Sequence, residues 1–362
     1  MRKPTSRSLP LPSPLSPRRA LAASAIVGAA LALSAAGKAK ADPLEAFYKG
    51  KEVSIYVGST PGGGFDLYGR LVSRHMARHM PGNPNMVVKN MPGAGGIAQV
   101  NYLLGPAARD GSNIGIINPV MTTAPFLTPN VAKWDSRNFV WIGSANSEVS
   151  TCAFWPQSKV ESVADMAGKS RELVIAGVGP SSGSTLDAIT LKELFGWNWK
   201  IVTGYPGLAN AITAAEAGEA DGMCGLNVTT LKARLWDRMK AGDMKVLLQT
   251  SLDNHPDLPG VANAFGIAKT EEQKGMMELV FGPWKFGRPF ITTPGVPADR
   301  LAALRKGFKA TLTDPLLVAE AERTKSEISY MSPEEIAPIV ERFYKTPETV
   351  RDNTRRLFDG RS

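Results

Sequence analysis

Apolar residues alternate with polar ones from Val53 through Ile55 to Val57, a period of two that predicts a β-strand, and the run breaks at Pro61-Gly62-Gly63-Gly64. The period then lengthens. Tyr68, Leu71, Val72, Met76 and Met80 fall at i, i+3, i+4, i+8 and i+12, the stripe of an amphipathic helix over about 65–80 that Pro81-Gly82 stops. Met86-Val87-Val88 predicts a second strand. Pro92-Gly93-Ala94-Gly95-Gly96 then opens a second helix carrying Ile97, Val100, Tyr102 and Leu104. After a turn at Asp110-Gly111, a third strand runs from Ile114 to Asn118. This strand–helix–strand–helix–strand series is the unit of a parallel doubly wound sheet, whose ligand edge is built from the loops at the strand C-terminal ends.

A strand-rich connection over 139–154 leads to a second series of the same kind. Leu173–Ala176 reads as a strand, Gly177–Ser184 as a Gly/Ser-rich loop, and Thr185–Phe195 as a helix with Leu186, Ile189 and Leu194 on one side. Further strands are expected at 200–202, 221–224 and 246–248, with helices at 207–217 and around Leu231, Leu235 and Met239. Trp284 to Ile291 is extended in pattern, and the remainder is helical over 298–312, from Asp314, and from Ser332. Ser332 with Glu335 three residues on is a capping box, with Pro333 at the first helical position. Two α/β units, each with a glycine-rich loop at a helix start, predict an α/β chain of two lobes facing each other.

Charge changes the picture less than its total implies. The net charge is +9, but residues 1–41 hold seven basic residues and no Asp or Glu, which leaves 9 − 7 = +2 for the rest. No basic stripe remains for nucleic acid, so none is expected as a partner. The N-terminus itself reads as an export signal: Arg18-Arg19, an uncharged run from Ala20 to Gly37, then Ala39-Lys40-Ala41 with small residues at the −3 and −1 positions of a cleavage site before Asp42. Its Arg pair outlines a twin-arginine signal, but Ala20-Leu21 fits that motif poorly. Periplasmic export with cleavage after Ala41 is the expectation. Cys152 and Cys224 are free to pair in such a compartment or to serve as buried small apolar residues, and neither lies in a metal-ligand spacing.

The candidate chemistry lies in the two loops. Gly62-Gly63-Gly64 places no Cβ between the backbone and an approaching group, and N–H groups at a helix start point at an anion with the favourable end of the helix dipole behind them. Gly179 to Ser184 repeats the device, with Ser181, Ser182 and Ser184 hydroxyls added. Two such loops can hold carboxylates from both sides without a buried Arg, at about 1.5–3 kcal/mol per charge-assisted hydrogen bond. Asn118, Met121 and Thr122 share the same edge. Tyr205, at a strand end, reads equally as a pocket wall or as an ordinary half-buried aromatic.

Pro61-Gly-Gly-Gly-Phe-Asp66, Asn90-Met-Pro-Gly-Ala-Gly-Gly96, Asp110-Gly111, Gly177-Val-Gly-Pro-Ser-Ser-Gly-Ser184, Tyr205-Pro-Gly207, Gly218-Glu-Ala-Asp221, His255-Pro-Asp-Leu-Pro259 and Thr293-Pro-Gly-Val-Pro297 stand in one order. In that order the chain, over essentially all of 42–362, resembles the solute-binding proteins of tripartite tricarboxylate transporters, the TctC or Bug family. The resemblance implies a two-lobed periplasmic binding protein of the type II-like Venus-flytrap kind, with two doubly wound sheets joined by two crossing strands near 148–155 and 284–291. It implies lobe one from 42–150 plus 285–362 and lobe two from 151–284. It further implies a small carboxylate ligand (di-, tri- or aromatic), a membrane permease as partner, a monomer, no cofactor, no metal and no enzymatic activity. Carried onto these residues, Thr60, Pro61, Gly62, Gly63, Gly64, Phe65 and Asp66 form one ligand loop, and Gly179, Ser181, Ser182, Gly183 and Ser184 the other. The chain departs from the family in two places. Gly58-Ser59-Thr60-Pro61 replaces a commoner Pro-Phe-Pro-Pro run, and Gly225-Leu226-Asn227 stands where members often carry an acid that meets the far end of the ligand, with Asn227 expected among the ligand-binding residues.

Three other chemistries have partial motifs. Gly93-Ala-Gly-Gly-Ile-Ala98 matches the loose dinucleotide pattern, but the following strand ends at Asn118 without the ribose-binding acid. Gly179-Pro-Ser-Ser-Gly183 matches a nucleophile elbow with Ser181 as nucleophile, the basis for a secreted serine hydrolase as the alternative reading, with His255 in a Pro-rich turn as the sole later histidine. His75 and His79 have the i, i+4 spacing of a metal pair, yet Arg74 and Arg78 flank them, which favours a solvated basic face.

Overall fold

The computed structural model describes residues 42–180 and 182–358. The first strand, β1 (Glu52–Val57), is fed by the glycine loop into helix α1 (Gly64–Met76), which ends in a 3₁₀ turn at Ala77–His79. Then follow β2 (Asn85–Asn90), α2 (Ile97–Leu104), β3 (Asn113–Ile116) and β4 (Val140–Ser144). The chain next builds β5 (Ser150–Phe154), β6 (Leu173–Ala176), α3 (Gly183–Phe195), β7 (Trp199–Val202), α4 (Leu208–Glu216), β8 (Gly222–Asn227), α5 (Val228–Arg234), β9 (Lys245–Gln249) and the short β10 (Ala262–Asn263). Helix α6 (Glu271–Phe281) and a 3₁₀ turn at Gly282–Phe286 precede β11 (Pro289–Thr292), and α7 (Ala298–Leu312), α8 (Pro315–Arg323), α9 (Pro333–Lys345) and α10 (Glu348–Arg356) close the chain.

Two sheets result, in the orders β2-β1-β3-β11-β4 and β10-β9-β5-β8-β6-β7, and both belong to the single unit Leu44–Ser362. In sheet one, β1, β2 and β3 are parallel, and β11 runs against its neighbours β3 and β4. In sheet two, β6, β7 and β8 are parallel, and β5 runs against β8 and β9. The reversed strands are those by which the chain enters each sheet. A strand arriving from the other lobe starts at the cleft edge, where the parallel strands end, and so must run opposite to them. The register shows this: Ser150 at the start of β5 lies opposite Asn227 at the end of β8, and Phe290 in β11 lies opposite Ile116 at the end of β3.

The alternation along β1 predicts one buried face, but Val53 to Val57 are all buried, because helices cover both sides of a parallel sheet. Val53, Ile55 and Val57 pack with Tyr68, Leu71, Val72 and Met76 of α1, while Tyr56 joins the cluster of Ile97, Val100 and Leu103 on the other face. Sheet two is likewise sandwiched between two apolar clusters. Cys152 of β5 and Cys224 of β8 form a disulfide across adjacent strands, their Cα atoms 4.0 Å apart. It closes a loop of 72 residues, worth about 4 kcal/mol on the chain-entropy model.

Three sequence expectations need correction or completion. The stretch 284–291 is not extended throughout, since Pro283 at the first turn starts the 3₁₀ segment before β11. Helix α10 holds Val350 as its sole aliphatic residue, too little for a periodic signal, and is held against α6 by contacts such as Asn353 Nδ2 donating to Glu272 Oε1 at 2.6 Å. The basic row over 74–79 is solvated at Arg74 and Arg78, but all four of its basic residues are engaged by carboxylates at α8. His75 is buried and pairs with Glu320 of α8 at 2.6 Å, Arg74 pairs with the same carboxylate at 2.5 Å, and Arg78 and His79 meet Asp314, the N-cap of α8, at 2.6 and 2.7 Å. These residues seat α8 on α1 and hold no metal geometry. The signal segment 1–41 lies outside the described residues.

Candidate ligand-binding cleft

Doubly wound sheets bind ligands beyond the carboxyl ends of their strands, and here the two sheets present those ends to one cavity of about 440 Å³. Its walls are helix beginnings. From sheet one come Thr60, Gly63, Gly64 and Phe65 at the start of α1, and Pro92, Gly93 and Gly95 ahead of α2. Sheet two contributes Gly179, Ser182, Gly183 and Ser184 at α3, Tyr205 and Gly207 at α4, and Asn227 with Thr230 at α5. Asn118, after β3, completes the sheet-one side. The α1 N-cap is Gly63, which offers no side-chain cap, so the first N–H groups of α1 remain available to a ligand.

The loops are self-braced. The Asp66 carboxylate turns back to accept from the Gly62 N–H at 2.9 Å, Arg70 Nε at 2.9 Å and Asn90 Nδ2 at 2.9 Å. Burial works to raise its pKa, but the Arg70, Gly62 and Asn90 hydrogen bonds outweigh it and hold the carboxyl below its usual range. Asp66 therefore shapes the loop and does not line the cavity, a correction to its expected ligand role. Pro61, Gly62, Met121 and Thr122 are also absent from the lining. Pro61 and Gly62 form the outer turn, where the Gly62 carbonyl accepts from Arg234 Nη2 across the cleft at 3.1 Å, while Met121 and Thr122 sit in the apolar layer beneath. Ser181 lies outside the described residues.

The serine hydroxyls are also committed locally. Ser182 Oγ accepts from the Thr185 N–H at 3.4 Å as N-cap of α3, Ser184 Oγ accepts from the Val178 N–H at 3.2 Å, and the two oxygens lie 3.0 Å apart. Gly225 explains why β8 can pass so close: its φ is +71°, and a Cβ there would lie 2.3 Å from the Ser184 Cα. One turn along α3, Asp187 is fully buried. Burial pushes its carboxyl up to about 7, although Ser150 Oγ and Thr250 Oγ1 donate to it at 2.7 and 3.1 Å.

The expectation of a cleft without a buried Arg fails. Arg288, at the start of β11, is 1% exposed and lines the cavity beside Gly64, where an added Cβ would sit 2.9 Å from its Nη2. Its Nη2 pairs with Glu148 at 3.0 Å, and its guanidinium lies 4.6 Å from the Phe65 ring centroid and 5.3 Å from that of Tyr68. Glu148, in the other crossing segment, also accepts from the Thr229 N–H at 3.1 Å and Asn146 Nδ2 at 3.2 Å. Arg288 and Trp284, which also lines the cavity, carry no local motif. What marks them is their place in the crossing segment 284–291, read on the sequence only as a connection. Pro92, Gly93 and Gly95 were identifiable, because their loop repeats the glycine-rich helix start of the other two.

His255 lines a different cleft, where its Nε2 meets Glu327 at 3.1 Å and its Nδ1 accepts from the Asp257 N–H at 3.1 Å. Among the described residues no helix is long and apolar enough to cross a membrane.

Comparison with known proteins agrees with this architecture. A model of the tripartite tricarboxylate transporter family receptor, TctC, matches residues 69–347. No curated protein sequence matches the chain. Among solved structures, the periplasmic binding protein BugD superposes with a TM-score of 0.67 at 22% identity, covering 86% of this chain and 98% of BugD. MatC from Rhodopseudomonas palustris with bound malate gives 0.62 at 18% identity over 85% of this chain and 99% of MatC. A second R. palustris protein, with adipate, gives 0.65 at 18% identity over 84% and 97%. At these identities the likeness shows the fold, and the family rests on the sequence model. The chain belongs to the TctC receptor family of tripartite tricarboxylate transporters.

Proposed function

We propose that the protein is a periplasmic receptor that captures a small organic carboxylate in the cavity between the two sheets and presents it to the membrane permease of a tripartite tricarboxylate transporter. The observation that carries this reading is the convergence of helix N-termini from both sheets on one cavity whose lining, among the described residues, contains no Asp or Glu. The malate and adipate bound to MatC and to the second R. palustris protein support the carboxylate class. The first 41 residues act as the leader, removed after Ala41. Lobe one comprises 42–150 with 285–362, and lobe two 151–284. A ligand carboxylate docks on one lobe's glycine loop, rotation about the crossing segments brings the other loop onto it, and the permease reads the closed form. The protein works as a monomer and performs no chemistry on the ligand.

The test is thermal melting of the protein purified from the periplasmic fraction against a panel of di-, tri- and aromatic carboxylates, together with mass spectrometry of any ligand retained through purification. Ligand at a hundred times its Kd stabilises by about 2.7 kcal/mol, a clear upward shift in Tm. No shift with any member of the panel and no retained acid would sink the reading. Esterase turnover that disappears in Ser181→Ala would favour the hydrolase instead.

A further inference from the structure

Taking the carboxylate reading as its basis, we propose that Arg288 is the ionic contact that makes this receptor select ligands with a second acid group and reject ligands carrying an ammonium. Three observations converge. Among the described residues, Arg288 is the sole charged side chain in the cavity lining, and it is almost completely buried. Its hydrogen-bonding capacity is incompletely used: Nη2 meets Glu148 and Nη1 donates to the Gly287 carbonyl at 3.0 Å, while Nε has no partner. Glu148, by contrast, is saturated by Arg288, Thr229 and Asn146 and has no capacity left for a cationic ligand group.

A buried donor without a partner costs free energy unless a bound group completes it, and an anion completes a guanidinium best. The first carboxylate of the ligand is held by backbone N–H groups at the glycine loops, and the second reaches the cavity floor at Arg288. Asn227 Oδ1 and Ser59 Oγ also lack partners and line the same space, so they bind a hydroxyl or an amide of the ligand. An ammonium there would face a guanidinium and several helix N-termini with no carboxylate in the lining to answer it. The aromatic rings of Phe65 and Tyr68 hold the guanidinium flat, so its donor edge is fixed before the ligand arrives.

The experiment is calorimetric titration of the full chain, purified after export, with succinate, glutarate and adipate, with the monoacids butyrate, pentanoate and hexanoate, and with the 2-amino derivatives of the diacids. The best diacid is expected to bind at least about 10-fold tighter than its monoacid and its 2-amino derivative. In Glu148→Gln/Arg288→Gln, which removes both charges together and so avoids a lone buried ion, that preference falls by about 10- to 100-fold while the monoacid affinity changes less than about 3-fold. Arg288→Gln alone is expected to do the same if it folds. Equal affinity for diacid and monoacid in the wild-type chain overturns this inference but leaves the carboxylate reading standing. So does a double variant that weakens both alike, as a guanidinium serving only to pin the hinge would. Binding of none of the probes overturns both.

Discussion

Two clefts open between the sheets, and they are built on opposite principles. The ligand cavity is lined by glycines, small polar residues and helix beginnings, with one charged side chain among them. The other, of about 940 Å³, is lined by Lys232, Asp253, His255, Asp257, Lys285 and Glu327 among others. Charge density alone would nominate the second as the binding site. Six of its charged residues, however, answer one another: Lys232 pairs with both Asp257 and Glu327, Lys285 pairs with Asp253, and His255 completes Glu327. His255, Asp257 and Glu327 do cluster closely enough to hold a metal ion, but the Lys232 ammonium already occupies the cationic role between the two carboxylates. The ligand cavity keeps unpartnered atoms on Arg288, Asn227 and Ser59. Among the described residues, none of the buried polar side-chain atoms that lack a partner belongs to the charged cleft.

The sharpest way to break this comparison is at Glu148. Glu148→Ala strands the buried Arg288 and is expected to cost about 3–5 kcal/mol in urea unfolding. A loss below about 1 kcal/mol would mean the pair does not act as one buried unit. Next comes Gly225→Ala, which places a Cβ against the Ser184 backbone at a positive φ. It should cost about 1–3 kcal/mol and weaken carboxylate binding by displacing the start of α3, and wild-type affinity in this variant would refute the need for a close approach of β8 to Ser184.

The two clefts should also respond to pH in opposite directions. Asp187, beneath the ligand cavity, titrates at about 7 in the folded protein. Between the unfolded value near ~4 and that point the folded state keeps a proton the unfolded state has lost, so stability falls as pH rises. Asp187→Asn should remove that slope, a difference of at least about 1 kcal/mol between pH 5 and 8 in denaturant midpoints. Glu327 is pulled down to about 2, first by the His255 hydrogen bond and then by Lys232, against a burial effect that raises it. Its contribution is present above the unfolded value near ~4.3 and is lost as pH falls toward about 2. Glu327→Gln is the smallest change, about 1 kcal/mol or less at neutral pH because the pair is partly solvated, with ligand affinity unchanged. A large loss of affinity there would show that the charged cleft controls closure.

Much of the fold was legible because its signals are local. The β1 alternation, the apolar stripe of α1, the capping box at Ser332 and the glycine-rich helix starts each need only neighbouring residues to be read, and each lies where the sequence placed it. Helix α10, with one aliphatic residue, carries no periodic signal because its stability comes from packing on α6. Within the site, Thr60, Gly63, Gly64, Phe65, Asn118, Gly179, Ser182, Gly183, Ser184, Tyr205 and Asn227 do meet at one cavity. Asp66 did not follow, since a carboxylate in a first helical turn is equally suited to bracing its own loop and to facing a ligand. Only the Arg70 and Asn90 side chains decide between them.

What the sequence determined by itself was the kind of edge each sheet would present: glycines where the backbone must be approached, at starts of helices whose dipoles favour an anion. Which atoms face the ligand, and which are consumed in holding the loops, was decided by the tertiary structure. The Ser182 and Ser184 hydroxyls are spent on one another and on Thr185. The arginine that looked like part of a connection comes to line the cavity, where Glu148 from the other crossing segment neutralises it. These two residues stand 140 positions apart in the chain, and no local pattern of hydrophobic and polar positions encodes a partner at that distance.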